Sequence, residues 1–495
     1  MAVTAAPSSH ALTQECVTEY DRIVAGGARP ASTVGSVLNQ WWIRAGYGSP
    51  GGTGRGRLQA RAWSASSSPR SPPCLNLGAM QRIEADVLVP GRGAPVQDGC
   101  VIIDGPVLRY AGPRDQAPPT PQAEVHRVAA VMPGLWDCHA HFMGIRTPNL
   151  AELAATPPAV AAMRVARDAA VALDAGFTSV REVGGLGVWL ATTVAEGSVN
   201  GPTVYAAGAV LSPTGGHADL HMYPSQWVCD LADRLGMLRQ CDGVPECLRA
   251  VRLQLRSGAR LIKVCASGGV MSQIDHPIHQ QFSDEELRAI VEEAARAERV
   301  VAAHCHGKPG IMAALRAGVR TIEHGTYLDE EAADAMRESG AVLVPTRLII
   351  EEYLAHGPAT GLPDYAYRKL HEVADQHAAA ITLAHERGVR IALGTDIAGS
   401  STTMPARWGQ NGAELGLMVK AGLSPLAAIE AATASAPLTL GPQAPQSGLL
   451  EAGYDADVIA LAASPANDVS VVAEPANITH VWKAGALVKA PPATS

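Results

Sequence analysis

The chain has 495 residues, a formal net charge of −8 and 47% hydrophobic residues. That length suffices for two or three domains, or for one large barrel with an appendage. The charges are mixed, without a long basic run or a stretch of about 18 apolar residues, so we expect neither nucleic-acid binding nor a membrane span. The nine cysteines are scattered and form no Cys-x-x-Cys pair, which argues against a disulfide framework and favours a reducing, cytoplasmic location.

Residues 1–79 differ in composition from the rest of the chain. Gly, Ser, Pro, Ala and Arg dominate residues 46–73, and Asp and Glu are absent from residues 22–77. This low complexity predicts a disordered extension. Organellar targeting by this segment is the alternative, although Glu15, Glu19 and Asp21 are atypical of a transit peptide.

Short apolar runs separated by Gly and Pro predict strands on both sides of the middle of the chain. They cover residues 85–89, 100–104, 107–110, 456–461, 478–482 and 486–488. We expect them to form one small β-sandwich domain from two separate segments, residues 80–130 and 443–495.

Between these segments, strand and helix patterns alternate. The eight apolar strand candidates are residues 131–136, 178–183, 203–207, 260–264, 300–304, 320–323, 341–345 and 390–393. Helical patterns include residues 159–173, 244–255, 284–297, 311–317 and 364–387, and Ser283 with Glu286 forms a capping box. Eight βα units predict a parallel, closed (β/α)8 TIM barrel over residues 131–442.

Residues able to bind metal occur where these strands end, which is where TIM barrels carry their active sites. His139 and His141 are spaced i and i+2, so on an extended strand both point to one face. The full set is His139, His141, Lys263, His304, His324 and Asp396. Five strands thus bring ligand-type residues to one end of the barrel, which predicts a metal centre.

Lys263 stands inside an apolar strand, where an unpaired ammonium would cost several kcal/mol. It can pair with a neighbouring carboxylate, or it can condense with CO2 to give a carbamate, an anion able to bridge two cations. The histidines expected nearby favour the carbamate.

The segments PGLWDCHAHF, KVCASGGVMS, AAHCHG, IEHGTYLD, LGTDIAG and GLLEAGYDADVIALAASPANDVSVV, in this order, resemble the amidohydrolase superfamily of metal-dependent hydrolases. The resemblance covers about residues 80 to 490. Within it, SPTGGHAD at residues 212–219 resembles the branch of prolidase-like Xaa-Pro dipeptidases and ochratoxinase-type amidases, which grades into imidazolonepropionase-like proteins.

The resemblance implies a binuclear metal centre. Imidazole, carboxylate and carbamate ligands suit zinc first, with manganese or cobalt as alternatives. His139, His141 and Asp396 would bind one ion, and His304 and His324 the other. Carboxylated Lys263 and a hydroxide would bridge the two ions, and Asp396 would shuttle the proton from the attacking hydroxide to the leaving amine.

Five further residues are candidates for contact with substrate. His217, on the loop after the third strand, and His306, beyond His304, could donate to the developing oxyanion; ordinary loop histidines are the alternative. Tyr223, Arg347 and also Arg181 could pair with a substrate carboxylate, against the alternative of structural salt bridges for the arginines.

The sequence therefore predicts a metal-dependent amidohydrolase that cleaves an amide bond of a small molecule, such as an Xaa-Pro-type dipeptide or an N-acyl amino acid. A cyclic-amide hydrolase or deaminase on the same scaffold is the alternative. A non-catalytic scaffold is a more remote alternative, because all the expected metal ligands are retained. Alanine-rich barrel helices leave room for a homo-oligomer.

Overall fold

The computed structural model describes residues 80–491. The extension expected over residues 1–79 lies outside the described residues. The strands are Gln81–Leu88 (β1), Val96–Asp104 (β2), Val107–Pro113 (β3), Glu124–Pro133 (β4), Leu135–Ile145 (β5), Phe177–Glu182 (β6), Thr203–Ala206 (β7), Val210–Ser212 (β8), Leu238–Gln240 (β9), Ile262–Cys265 (β10), Val301–Cys305 (β11), Thr321–His324 (β12), Val342–Val344 (β13), Arg390–Ile391 (β14), Ile397–Gly399 (β15), Val458–Leu461 (β16), Ile478–Lys483 (β17) and Ala486–Lys489 (β18).

The α-helices lie between and beside the strands. They are Glu152–Ala155, Pro158–Asp174, Gly187–Ala195, Ser225–Leu235, Gly243–Ser257, Asp284–Ala295, Lys308–Ala317, Glu330–Ser339, Arg347–Thr360, Asp364–Glu386, Ala413–Lys420, Pro425–Ala432 and Ser470–Ala473. Three 3-10 turns cover Arg114–Gln116, Ala436–Gln443 and Pro475–Asn477. Among the described residues, no helix is long and apolar enough to cross a membrane.

One sheet is built from both flanks of the barrel, in the order β18-β17-β16-β4-β1-β2-β3. Its apolar face buries Ile83, Val101, Val458 and Trp482. The indole N–H of Trp482 donates to Gln81 Oε1 at 2.7 Å, which ties the last part of the chain to the first described strand. The two segments therefore contribute strands to a single sheet.

The barrel strands form two parallel arcs, β15-β5-β6-β7 and β14-β13-β12-β11-β10-β8-β9. Backbone hydrogen bonds join the arcs at both junctions. The amide of Arg260 donates to Ala206 O at 2.8 Å, and the amide of Cys138 donates to Leu393 O at 2.8 Å. The (β/α)8 TIM barrel expected from the sequence is confirmed.

The first expected strand, residues 131–136, is divided in the structure. Residues up to Pro133 complete β4 of the flanking sheet, and the barrel strand β5 begins at Leu135. The amide of Gly134, between them, donates to Asp457 O at 2.9 Å. The apolar run continues through both strands because both are buried, so periodicity alone could not separate them.

Local sequence explains where the helices begin. The Ser283 hydroxyl accepts from the Glu286 amide, and the Glu286 carboxylate accepts from the Ser283 amide, which is the expected capping box. Pro309 occupies the first turn of the helix Lys308–Ala317, where its missing N–H costs nothing.

Candidate metal centre

The six expected metal ligands meet in one pocket at the carboxyl ends of the barrel strands. His139 and His141 lie on β5, Lys263 on β10, His304 on β11 and His324 on β12. Asp396 follows β14. The alternation of strands and helices in the sequence predicts that these residues lie at one end of the barrel. In the structure they lie together in one pocket at that end.

His139, His141 and Asp396 form a compact group, with one ligand atom from each lying within 4.8 Å of the others. Asp396 Oδ1 is 3.1 Å from His141 Nε2 and 3.4 Å from His139 Nε2. Lys263 Nζ is 3.4 Å from the same His139 nitrogen. The lysine side chain therefore lies beside this group.

A second group of imidazoles adjoins the first. The ring centroid of His304 is 4.6 Å from His324, 4.7 Å from His306 and 4.2 Å from His217. His139 links the two groups, because its centroid is 4.8 Å from that of His324. The arrangement supplies nitrogen ligands for a second ion within a few ångströms of the first.

Hydrogen-bond acceptors fix which ring nitrogen of three histidines is free. His139 Nδ1 donates to Glu323 Oε2 at 2.7 Å, and His141 Nδ1 donates to the Gly184 carbonyl at 2.7 Å. His304 donates from the other nitrogen, Nε2, to the Gly268 carbonyl at 3.2 Å. A carbonyl or carboxylate can only accept here, so Nε2 of His139 and of His141 and Nδ1 of His304 keep lone pairs for a metal.

Glu323 and Arg181 form a fully buried ion pair behind His139. Arg181 Nη2 lies 2.7 Å from both carboxylate oxygens of Glu323, and both side chains have 0% exposure. Arg181 also donates to Cys138 O and to Thr321 Oγ1. Burial raises the pKa of Glu323, but attraction to Arg181 and the His139 hydrogen bond outweigh it, so the pKa is lowered and the carboxylate stays ionised.

Asp137 holds the turn that carries Asp396. Its carboxylate accepts from the Thr395 hydroxyl at 2.6 Å and from the Asn411 amide group at 2.7 Å. It also accepts from the backbone amides of His139 at 3.1 Å and Thr395 at 3.2 Å. One buried side chain thus fixes β5 and the Asp396 turn relative to each other.

Three residues at the pocket adopt left-handed backbone conformations. The φ angles are +68° for His324, +58° for Thr346 and +60° for Asp396. Such values are uncommon for residues other than glycine and cost of order 1–3 kcal/mol each. Thr346 in turn places its hydroxyl 2.7 Å from His324 Nδ1, so this backbone geometry orients the ligands.

The electrostatics of the pocket suit a cation. Burial lowers the pKa of Lys263, of His304 and of His324, and neighbouring imidazoles lower the two histidine values further. Burial raises the pKa of Asp396, but the adjacent His139 and His141 outweigh this effect and hold the pKa well below its usual range. Neutral nitrogens and an ionised carboxylate are the ligand forms that a divalent metal binds.

The walls around these ligands are apolar. They comprise Met143, Ile145, Pro148, Leu150, Val210, Ala218, Leu220, Leu238, Cys265, Val270, Met271, Ile349, Ile350, Tyr353, Leu370 and Ala398. Among the described residues that line the pocket, Lys263 is the only lysine or arginine. Apart from the ligand cluster, the surface of the pocket is therefore mainly apolar.

The structure corrects two expected substrate contacts. Arg347 is committed to Glu351 and to the Ala374 carbonyl, and the Tyr223 hydroxyl donates to Ala151 O at 2.7 Å. Neither residue lines the pocket, so the expected pairing of Tyr223 and Arg347 with a substrate carboxylate is wrong for this geometry. Arg181 is a structural partner of Glu323, which was the alternative considered for the arginines.

His217 and His306 do line the pocket, as expected. His306 Nδ1 lies 2.7 Å from Thr326 Oγ1, and His217 Nδ1 lies 2.7 Å from Ser272 Oγ. Burial lowers the pKa of His306 to about 3 and that of His217 to about 4. Both rings are therefore neutral near pH 7.

Several residues that organise the site were not identified from the sequence. Glu323 is the main one, and its signal is a charged residue inside the apolar strand β12, directly before His324. Asp137 carries the same signal on β5. In each case the neighbouring histidine is the more specific sign of a metal site, so the carboxylate beside it is easily overlooked.

Comparison with known proteins defines the class. A model of the amidohydrolase family matches residues 130–488, and the chain belongs to this family. It is a hydrolase that acts on amide bonds, in a family that generally uses divalent metal ions.

Particular relatives are closely similar. Ochratoxinase from Aspergillus niger is 44% identical over 424 residues, which cover 83% of this chain and 86% of the relative. The crystal structure of A. niger ochratoxinase superposes with a TM-score of 0.77 at 43% identity, covering 83% of this chain and 96% of that one. A prolidase complexed with N-methylphosphonate-L-proline has a TM-score of 0.77 at 33% identity, covering 83% and 100%. An Xaa-Pro dipeptidase with bound methionine has a TM-score of 0.73 at 31% identity, covering 83% and 100%.

Proposed function

We propose that the protein hydrolyses the amide bond of a small N-acyl amino acid or an Xaa-Pro-type dipeptide, with preference for a bulky apolar acyl group. One observation carries the proposal: the pocket that contains His139, Lys263, His304 and Asp396 is otherwise lined mainly by apolar side chains. The resemblance to ochratoxinase and to prolidases supports the reaction class. The pocket wall favours the apolar acyl group, because no arginine among the described residues lines it.

The residues fit two divalent ions, zinc first by ligand type, with manganese or cobalt as alternatives. His139, His141 and Asp396 would hold one, and His304 and His324 the other. When bound, such ions lower the pKa of water and polarise a carbonyl group. The free nitrogens of His139, His141 and His304 support this assignment because they are already in the tautomer that a metal requires.

Lys263 would serve as a carbamate. Burial lowers the pKa of its ammonium, so the neutral amine needed to attack CO2 is favoured. The amine forms an N–C bond to CO2 and loses one proton, which leaves an anion between the two ligand groups. Lys263 Nζ lies 3.4 Å from His139 Nε2, and this distance supports a carbamate beside the ligands of the first ion.

Asp396 would act as general base and then as general acid. Its low pKa keeps it ionised, and it lies next to His139 and His141 at the floor of the pocket. It can take the proton of the attacking water and give it to the leaving amine. His306, on the wall, is placed to donate to the oxyanion if its Nε2 carries the hydrogen.

A substrate series tests the proposal. Turnover would be measured for N-acetyl, N-octanoyl and N-benzoyl derivatives of one amino acid, for Xaa-Pro dipeptides and for cyclic ureides. We expect hydrolysis of the linear amides, with kcat/KM increasing from acetyl to benzoyl. Turnover of the cyclic compounds alone would contradict the proposal and establish the cyclic-amide alternative. Among the Xaa-Pro dipeptides, one with a positively charged Xaa side chain should be hydrolysed more slowly than one with an apolar side chain, and a preference for the charged side chain would contradict the assignment of the pocket wall.

A further inference from the structure

One wall of the pocket is a loop, residues 268–281, between β10 and the helix Asp284–Ala295. It contributes Val270 and Met271 to the pocket. The loop is tied at its base, where the Gly268 amide donates to His279 O at 3.0 Å. Its outer part has neither helical nor strand structure, so other contacts must hold it against the pocket.

Lys369, on the helix Asp364–Glu386, makes those contacts. Its ammonium group lies 3.1 Å from Gly269 O, 2.8 Å from Ser272 O and 2.5 Å from Asp275 O. It is also 3.3 Å from Asp275 Oδ1, and its side chain is only 13% exposed. An ammonium has three hydrogens, so the three carbonyls of one loop use all of them.

The same helix makes one more contact with the loop. The Tyr365 hydroxyl donates to Met271 O at 3.2 Å. Met271 therefore has its backbone held by the helix while its side chain faces the pocket. The helix acts as a fixed support for this part of the wall.

A chain of hydrogen bonds continues from Lys369 to His217. The Ser272 hydroxyl makes a very short contact with the Asp275 carboxylate and lies 2.7 Å from His217 Nδ1. Because the carboxylate is the stronger acceptor, the hydroxyl donates to Asp275 and accepts from His217 Nδ1–H. The Nε2 of His217 is then left without hydrogen, as an acceptor rather than an oxyanion donor.

The backbone of His217 is fixed by the same group of residues. Its amide donates to Gln281 Oε1 at 2.9 Å, and Gln281 Nε2 donates to Asp275 Oδ2 at 2.8 Å. The ring stacks on His304 with centroids 4.2 Å apart. Position, orientation and tautomer of His217 thus all depend on Asp275, which Lys369 holds.

We propose that Lys369 is a positioning residue for substrate binding: it closes the loop 268–281 over the pocket and, through Asp275 and Ser272, fixes His217 as a hydrogen-bond acceptor for an N–H or O–H group of the substrate. This inference rests on the proposed amide-hydrolase function for its kinetic part. The holding of the loop is a property of the protein without substrate. It can therefore be measured separately.

The test compares Lys369→Met with wild type and with Lys420→Met, which removes an exposed lysine from another helix. Hydrogen–deuterium exchange on the full-length protein without substrate is the first readout. Methionine keeps the length of the side chain and loses its hydrogen bonds, so exchange at residues 268–281 should become at least about tenfold faster. The strands β10 and β11 should keep their protection, and Lys420→Met should resemble wild type.

Kinetics with the best N-acyl substrate are the second readout. In Lys369→Met we expect KM to rise about tenfold and kcat to stay within about twofold, because the metal ligands are untouched and binding contacts are lost. A merely structural role would lower the amount of active enzyme and leave KM unchanged. Unchanged loop exchange together with unchanged KM would overturn the proposal.

Ser272→Ala separates the two parts of the inference. It leaves the Lys369 contacts to backbone carbonyls in place, so exchange of the loop should increase less than in Lys369→Met. KM should still rise, because His217 loses its partner. An unchanged KM would refute the role of His217. If wild type hydrolyses no amide at all, the proposed function fails, and the exchange experiment still decides whether Lys369 holds the loop.

Discussion

The buried pair of Glu323 and Arg181 is the most sensitive support of the metal centre, and Glu323→Gln tests it. Glutamine keeps the shape of the side chain and an oxygen for His139, but it removes the negative charge. Arg181, with 0% exposure, is then left as a buried cation without a counter-charge. Removing one partner of such a pair costs about 3–5 kcal/mol in unfolding free energy.

The same change weakens the centre directly. The carboxylate 2.7 Å from His139 Nδ1 raises the basicity of that ligand, whereas a neutral amide does so less. Loss of a partner of this kind reduces metal affinity by about 10–100-fold. The variant should therefore be impaired in stability without metal and also in metal binding.

Two assays measure these effects. Urea unfolding of chelator-treated protein, followed by tryptophan fluorescence, gives the change in unfolding free energy, and zinc titration of the folded protein gives the affinity. Glu338→Gln, which changes an exposed glutamate, is the matched control and should alter stability by less than about 0.5 kcal/mol. If Glu323→Gln matches this control in both assays, the argument about the buried pair is refuted.

Three further predictions concern other groups. Asp396→Asn should retain most bound metal by elemental analysis yet lose turnover by at least about 100-fold, because the proton shuttle is gone; near-wild-type rates would exclude that role. Lys263→Ala should lose metal and activity, and bicarbonate with a short carboxylic acid should partly restore both, whereas full activity of Lys263→Arg would exclude a carbamate. Burial raises the pKa of Glu414 from 4.5 to about 8. The contribution of this group to the unfolding free energy is therefore fully present below about pH 4.5 and is lost as the pH rises through 8. Glu414→Gln cannot ionise and should lose less unfolding free energy than wild type between pH 5 and 8; an equal loss in urea titrations would contradict this.

The sequence predicts the barrel well because each buried parallel strand is a short apolar run followed by turn residues. For the same reason, the sequence predicts which residues lie at the carboxyl ends of the strands: His139, His141, Lys263, His304 and His324. The strand fixes the end at which a residue emerges, and its spacing fixes the face. These are local properties, which periodicity reports directly.

Contacts between distant segments could not be predicted in this way. Arg181 and Glu323 are 142 positions apart, and nothing in either strand identifies the other as its partner. Lys369 and Asp275 are 94 positions apart on a helix and a loop. The expected substrate contacts of Tyr223 and Arg347 were wrong for the same reason. The sequence does not show that these side chains bond to other parts of the chain.

The backbone conformation at the pocket could not be predicted from the sequence either. His324, Thr346 and Asp396 have positive φ angles, which their residue types disfavour. Local preference predicts an ordinary strand end at each of them. The surrounding hydrogen bonds override that preference, and the result is the orientation of the ligands.

Metal content per chain tests the central claim most directly. It would be measured by elemental analysis on wild type purified without chelators, with His304→Ala and His139→Ala in parallel. We expect about two divalent ions per wild-type chain, and fewer in each variant with the fold retained. No bound metal in wild type, even after addition of zinc, manganese or cobalt, would contradict the binuclear hydrolase.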